Sequence, residues 1–290
     1  MSTMSEIYYG EYYFETALLY RNALLLSSLL VNIEAWYNVT QTEINQLEMA
    51  DEQLLRRILS APATASKASL YLELGIIPIR YIIKNRRLNF LQDILKENEN
   101  SLTNKILMRQ MQAPNKNDWI NMVLNDIREL NLNLNLEDIK KMSKSKFKKI
   151  TKEACQRKGF EYLEKLKRGQ NKIRKLNYKQ NNMQKYLKPG NKLSIDEMKN
   201  IYLVRTRNLN VKDNFRNYHK DNTCPIKKCK NDDTQLHLYY GTCLNRTNYV
   251  INRHTKYSDL FGEDLEKIIE ISRIIRSNFE HRKHILSPIK

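Results

Sequence analysis

Only 7 glycines and 6 prolines punctuate 290 residues, and this scarcity limits the possible folds more than any other feature of the chain. A sandwich or barrel reverses direction about every 8–12 residues and uses Gly or Pro at most of those turns. So few turn-makers predict a mainly α protein: a helical bundle, then basic helices, then a small module and a last helix. Hydrophobic residues make up 41% of the chain, which is enough to build a buried core.

Hydrophobic periodicity places the helices. Ala17 to Tyr37 is apolar over most of its circumference and predicts a buried central helix. Thr40 and Glu43 have capping-box spacing ahead of a stripe of Ile44, Leu47, Leu54, Leu55, Ile58 and Leu59. A short helix over 66–74 stops at Gly75, and Pro78 opens another that carries Ile79, Ile82, Ile83, Phe90, Leu91, Ile94 and Leu95. Arg80, Lys84, Arg86 and Arg87 on that helix read as its solvent face, or alternatively as a nucleic-acid contact. Asp118 is a candidate cap, Ser194 and Glu197 form a second capping box, and a broad apolar face follows Glu263. Soft boundaries divide the chain into 1–112, 113–193 and 194–290.

The longest apolar run, Ala23 to Val31, is nine residues, against about 20 for a membrane-spanning helix. The first 15 residues carry Glu6, Glu11 and Glu15 and no cation, unlike a secretory leader. An intracellular protein, nuclear or cytoplasmic and without a membrane partner, is the expectation.

Charge is concentrated. Residues 140–192 hold 19 basic and 3 acidic side chains, so this segment carries +16 of a total of +18. The cations are Lys140, Lys141, Lys144, Lys146, Lys148, Lys149, Lys152, Arg157, Lys158, Lys165, Lys167, Arg168, Lys172, Arg174 and Lys175, with four lysines after them. Clustered Lys and Arg displace counterions from phosphate backbones, which makes the segment a candidate surface for RNA or DNA. Phe147, Phe160, Tyr162, Tyr178 and Tyr186 are interleaved with it and are candidates for stacking on bases. The alternatives are a solvated linker, with Phe160 and Tyr162 anchoring it to a core.

Three of the four cysteines fall within 20 residues: Cys224, Cys229 and Cys243, with His237 between the last two. Two donors from one tight loop and two from the next element suit a tetrahedral zinc site with a closed coordination sphere. Zn2+ in a structural role is therefore expected, with His219 or His254 as alternative ligands because the last gap is long. Cys155 stands alone and reads as a free thiol.

The run from Tyr12 to Leu25, YYFETALLYRNALL, with Ser27-Ser28-Leu29-Leu30 and Glu34-Ala35-Trp36-Tyr37, resembles the segment after the palm domain of non-LTR retrotransposon reverse transcriptases. Leu47-Glu48, the run from Asp51 to Leu59 and the run from Leu72 to Arg80 resemble the continuation of that region. Cys224, Cys229, Asp233-Thr234, His237-Leu238 and Cys243 are similar to the CCHC element of the same proteins, except that four residues separate the first two cysteines where two are commoner. The resemblance runs from about residue 10 to the end. It implies a thumb-like helical bundle over the first segment and a CCHC zinc finger in the last.

A polymerase palm holds its metal ions on paired aspartates. The Asp pair here, Asp232-Asp233, lies inside the cysteine cluster. The chain therefore resembles the non-catalytic, C-terminal portion of such a protein, gripping RNA or an RNA–DNA hybrid. The alternatives are a polymerase subunit whose palm is supplied in trans, or a non-functional retroelement remnant. The acidic residues Asp259, Glu263, Asp264 and Glu266 open a helix, where the dipole favours them.

Overall fold

The computed structural model describes residues 12–37, 39–113, 115, 118–214, 221–227, 229–241, 243–244 and 255–286. The chain is mainly helical. Helix α1 (Tyr13–Tyr20) leads through a π-helical segment (Arg21–Leu25) into α2 (Leu26–Leu29). Then come α3 (Gln41–Leu59), α4 (Lys67–Leu74), α5 (Ile79–Lys96), α6 (Leu102–Gln112), α7 (Trp119–Glu129), α8 (Leu136–Lys141) and α9 (Lys144–Arg168). The last elements are α10 (Ile195–Arg205), α11 (Gln235–Tyr240) and α12 (Leu265–Leu286). Among the described residues no β-strand forms, and no helix is long and apolar enough to cross a membrane.

Local chemistry sets the boundaries. Glu43 N–H donates to Thr40 Oγ1 at 3.2 Å while Thr40 N–H donates to the Glu43 carboxylate at 2.7 Å, as the capping-box spacing predicts. Ser194 and Glu197 close the same box before α10. Gly75, at φ 67°, ends α4 in the left-handed region. The Asp118 carboxylate instead takes the N–H of Asn115 at 2.8 Å, so it sits at the N-cap of α7 without capping it.

The described residues fall into two compact units, those lying within 1–17, 55–74 and 166–290, and those lying within 18–54 and 75–165. In the second, α5 lies centrally. Leu88, Leu91, Ile94 and Leu95 cluster with Ile120, Val123 and Ile127 of α7, Ile139 of α8 and Phe147, Ala154 and Cys155 of α9, while Ile79 and Ile83 meet Leu26, Leu30 and Ile33. Gly159 on α9 sits so close to α5's approach that an added Cβ would lie 2.8 Å from Ile77 Cγ2. Gly159→Val is therefore expected to force α9 away from this core and to cost about 1–3 kcal/mol, read as a lower urea midpoint with an unchanged slope.

Two expectations are corrected in this unit. The single buried helix over 17–37 is instead α1, a π segment and α2, ending at Leu29. Arg21 turns inward and donates to both oxygens of Asp51 at 2.6 and 2.7 Å. That buried pair occupies the inward position, and Leu19, Leu24, Val31, Trp36 and Tyr37 remain exposed. The cations of α5 are not its solvent face either. Arg80 forks onto Glu48, Lys84 pairs with Asp126 and Glu129, Arg87 pairs with Asp126, and Arg86 donates to the carbonyl of Leu30. Carboxylates on α3 and α7 hold Arg80, Lys84 and Arg87 at the helix junctions, and a backbone carbonyl holds Arg86.

In the other unit, α4 is buried from Ala68 to Leu74. α12 packs on α10 and α11 through Ile268, Ile271, Ile274, Ile275 and Phe279. The irregular chain between α9 and α10 is held by buried Ile173, Leu176, Tyr186 and Leu187. It is also held by Glu73, which accepts from the hydroxyls of Tyr178 at 2.8 Å and Tyr186 at 2.7 Å.

Candidate metal centre

The module that carries the cysteines is pinned by its backbone. Thr223 and Asp232 form an antiparallel bridge, Cys224 N–H donates to the Asn231 carbonyl at 2.8 Å, and Asp233 N–H donates to Asn222 at 2.7 Å. This narrow loop turns through Pro225 and Ile226 and brings Cys229 back towards Cys224, with Cys229 N–H on the Ile226 carbonyl at 3.0 Å. Thr234 then caps α11 by accepting from His237 N–H at 2.9 Å, which sets His237 in the first turn of that helix. Gly241 ends α11 at φ 60°, and an added Cβ there would meet Asn278 Nδ2 at 3.0 Å. The turn after it carries Cys243.

Cys224, Cys229, His237 and Cys243 each offer one ligand atom, and the four atoms lie within 4.8 Å of one another. Cys224 Sγ is 3.7 Å from Cys243 Sγ, and His237 Nε2 is 3.1 Å from Cys243 Sγ and 3.4 Å from Cys229 Sγ. Around a tetrahedral ion with metal–sulfur bonds of about 2.3 Å and metal–nitrogen bonds of about 2.0 Å, the S···S edge is about 3.8 Å and the S···N edge about 3.5 Å. The four residues are placed to hold a metal ion.

The electrostatics point the same way. Burial, then the Cys224 thiol, push the Cys243 thiol up to about 12, and burial raises Cys224 as well. Burial pushes His237 down, which favours the neutral imidazole that ligates metals. Thiols crowded this closely ionise together only if a cation compensates them. With four protein donors the sphere would be closed, leaving no position for a reacting water.

The surroundings hold the module to α12. Asp233 is buried, ion-paired with Arg282, and accepts from Lys212 N–H at 2.9 Å. Asn278 Nδ2 donates to the Leu238 carbonyl at 2.7 Å. The Asp pair thus includes a structural member. His219 and His254, the alternative ligands, lie outside the described residues. Cys155 sits in the α5–α9 core, and burial pushes its thiol up to about 12.

The fifteen candidate cations divide by environment. Lys141, Lys146, Lys148, Lys149 and Lys152, on α8 and the first half of α9, are exposed, as are Arg157, Lys165, Arg168, Arg174 and Lys175. Lys140 pairs with Glu99, Lys144 with Asp93 and Lys158 with Glu161. Lys167 is buried on the Leu176 carbonyl at 2.7 Å, and the half-buried Lys172 is pushed down by desolvation, then by Arg207. Four of the five aromatic residues are engaged within the protein, and Phe160 is half-buried on α9. Phe147 and Tyr186 are buried, Tyr178 is bound to Glu73, and Tyr162 packs on Tyr81 beneath Arg80.

Helical periodicity shows which face of a helix is buried, but not which helices meet. The anchors Arg282 and Asn278 on α12 and the groove between α10 and α12 are therefore absent from the sequence expectations. Their only signal was the polar insertion in an otherwise apolar stripe. No protein-family model, curated protein or solved structure matches this chain.

Proposed function

We propose that the protein is a non-catalytic binder of RNA or single-stranded DNA, steadied by a structural zinc module. It corresponds to the C-terminal portion of the reverse transcriptase type that its sequence resembles. The observation that carries the reading is the row Lys146, Lys148, Lys149 and Lys152, exposed on one helix, with Lys141 just before it on α8. Neighbouring carboxylates engage Lys140, Lys144 and Lys158 instead. Four cations along about two turns of α9, with a fifth at the end of α8, suit a phosphate backbone, because their number and spacing matter more than any base contact.

The thiolate-rich donor set with one imidazole favours zinc over harder ions. Phosphoryl transfer by the chain alone is not part of this reading, and a primer-extension assay on a primed RNA template is expected to show no product that tracks with the protein.

Binding should weaken steeply with salt. If about five phosphates of a single strand are neutralised, log K falls against log salt with a slope of roughly −3 to −4. Replacing Lys148, Lys149 and Lys152 by Gln should bring that slope about two units closer to zero and weaken all sequences alike. A flat salt titration of the wild-type chain would sink the reading.

A further inference from the structure

Between α10 and α12 lies a groove of about 360 Å³. Its floor is apolar: Leu193 and Ile201 are buried, and Ile269 lies half-buried beside them. Its polar lining comes from both helices. Asn200 stands half-buried on α10, and Arg273 and Arg276 project from α12 one turn apart. Arg273 is 59% exposed, with Nε and Nη2 on Glu197 Oε1 at 2.9 and 2.6 Å, and Arg276 pairs with Glu280 at 2.5 Å. A guanidinium has five N–H donors, so each retains donors beyond its carboxylate. Ser272 also lines the groove, is 2% exposed, and its hydroxyl has no hydrogen-bond partner. A buried hydroxyl without a partner is unfavourable, so a ligand polar group entering the groove would have a hydroxyl to meet.

Small-ligand pockets run from about 300 to 1,000 Å³ and combine an apolar floor with a few polar groups. At the small end of that range the groove admits one nucleotide and excludes a larger cofactor. We propose that it binds a single adenine nucleotide, with the base on Leu193, Ile201 and Ile269, the Asn200 amide on the base edge, and Arg273 and Arg276 on the phosphate. Asn pairs with adenine through two hydrogen bonds, and Arg binds phosphate through its fork. The adenine nucleotide comes either from a free pool or from one residue splayed out of a bound strand. The site does not use the cations of α9, so it does not rest on the reading given above.

The test is calorimetric titration of the full zinc-loaded chain with adenosine monophosphate, uridine monophosphate and inorganic phosphate. Saturable binding of the adenine nucleotide, tighter than the other two, is expected. Asn200→Leu should weaken it by about 5- to 150-fold, the span of one base-edge contact, and Arg276→Gln should weaken both the adenine nucleotide and phosphate. Circular dichroism of each variant checks that the fold is intact. If an oligoadenylate blocks the mononucleotide competitively, the strand is the source, and if it does not, the free nucleotide is. No saturable binding of adenosine monophosphate, or equal binding by Asn200→Leu, overturns the proposal. Binding of RNA to the lysine row with neither of these effects would leave the lysine-row reading standing and this one refuted.

Discussion

Removing the metal is expected to melt residues 221–244 and leave the unit of 18–54 and 75–165 folded. The purified chain should contain about one zinc ion, and Cys224→Ser or Cys229→Ser should abolish it. Structural zinc in small modules has an apparent binding free energy of about 10–16 kcal/mol near neutral pH, most of which appears as folding free energy. The module has little to replace that. Its regular structure is one bridge and the six residues of α11, and its buried apolar residues include Leu238, Tyr239 and Leu244. The loss should spread to α12, because the buried Asp233–Arg282 pair and the Asn278 contact with Leu238 both need the loop in place. It should not reach the core of α5, α7, α8 and α9, which holds together on its own apolar residues. Hydrogen exchange, read segment by segment with and without chelator, separates these outcomes. Cys155→Ser and substitutions of His219 or His254 should leave the zinc content unchanged, since Cys224, Cys229, His237 and Cys243 already supply four donors. Metal-free protein after purification without chelator, or equal protection of 221–244 in both states, would exclude a structural metal.

The parts of the structure legible from sequence were those fixed over a few residues. The boxes at Thr40 and Ser194, the stop at Gly75 and the four-donor cluster all depend on neighbours no more than about twenty positions away. The role of the α5 cations is not legible in sequence because their partners Glu48, Asp126 and Glu129 sit 32 to 45 residues away on other helices. A row of Arg and Lys looks the same in sequence whether it faces water or a carboxylate. The aromatic residues of the basic segment were open for the same reason. Tyr178 and Tyr186 find their acceptor on Glu73, more than a hundred residues earlier. The stretch over 17–37 reads as one buried helix because periodicity cannot show that Arg21 turns inward onto Asp51, thirty residues on.

Glu73→Ala is expected to be the most damaging single substitution outside the metal centre. The carboxylate is fully buried and gathers three partners: the hydroxyls of Tyr178 and Tyr186, and Arg205 at 3.5 Å, itself 2% exposed. Arg205 in turn donates to the carbonyls of Leu260 at 2.8 Å and Gly262 at 3.1 Å, which ties the segment before α12 to α10. Alanine leaves a buried guanidinium without its counter-charge and two phenols without their acceptor. Breaking a buried ion pair in this way costs about 3–5 kcal/mol. At about 2–4 °C per kcal/mol for a unit of this size, the melting temperature should drop by roughly 6–20 °C. Glu73→Gln keeps the volume and one acceptor and should cost less. The pH dependence separates charge from shape. Burial raises the Glu73 carboxyl above its ordinary value of 4.5, against the opposing pull of Arg205 and the two tyrosines. The folded state therefore holds this proton more tightly than the unfolded chain. That contribution is complete below about pH 4.5 and is lost as pH rises through the raised folded value. Glu73→Gln has no such proton, so the stability gap between wild type and Glu73→Gln should shift against the wild type as pH rises from 4.5. Urea titrations of both proteins at several pH values measure the gap, and a gap that stays constant from acid to neutral pH would show that the buried carboxyl does not titrate with folding.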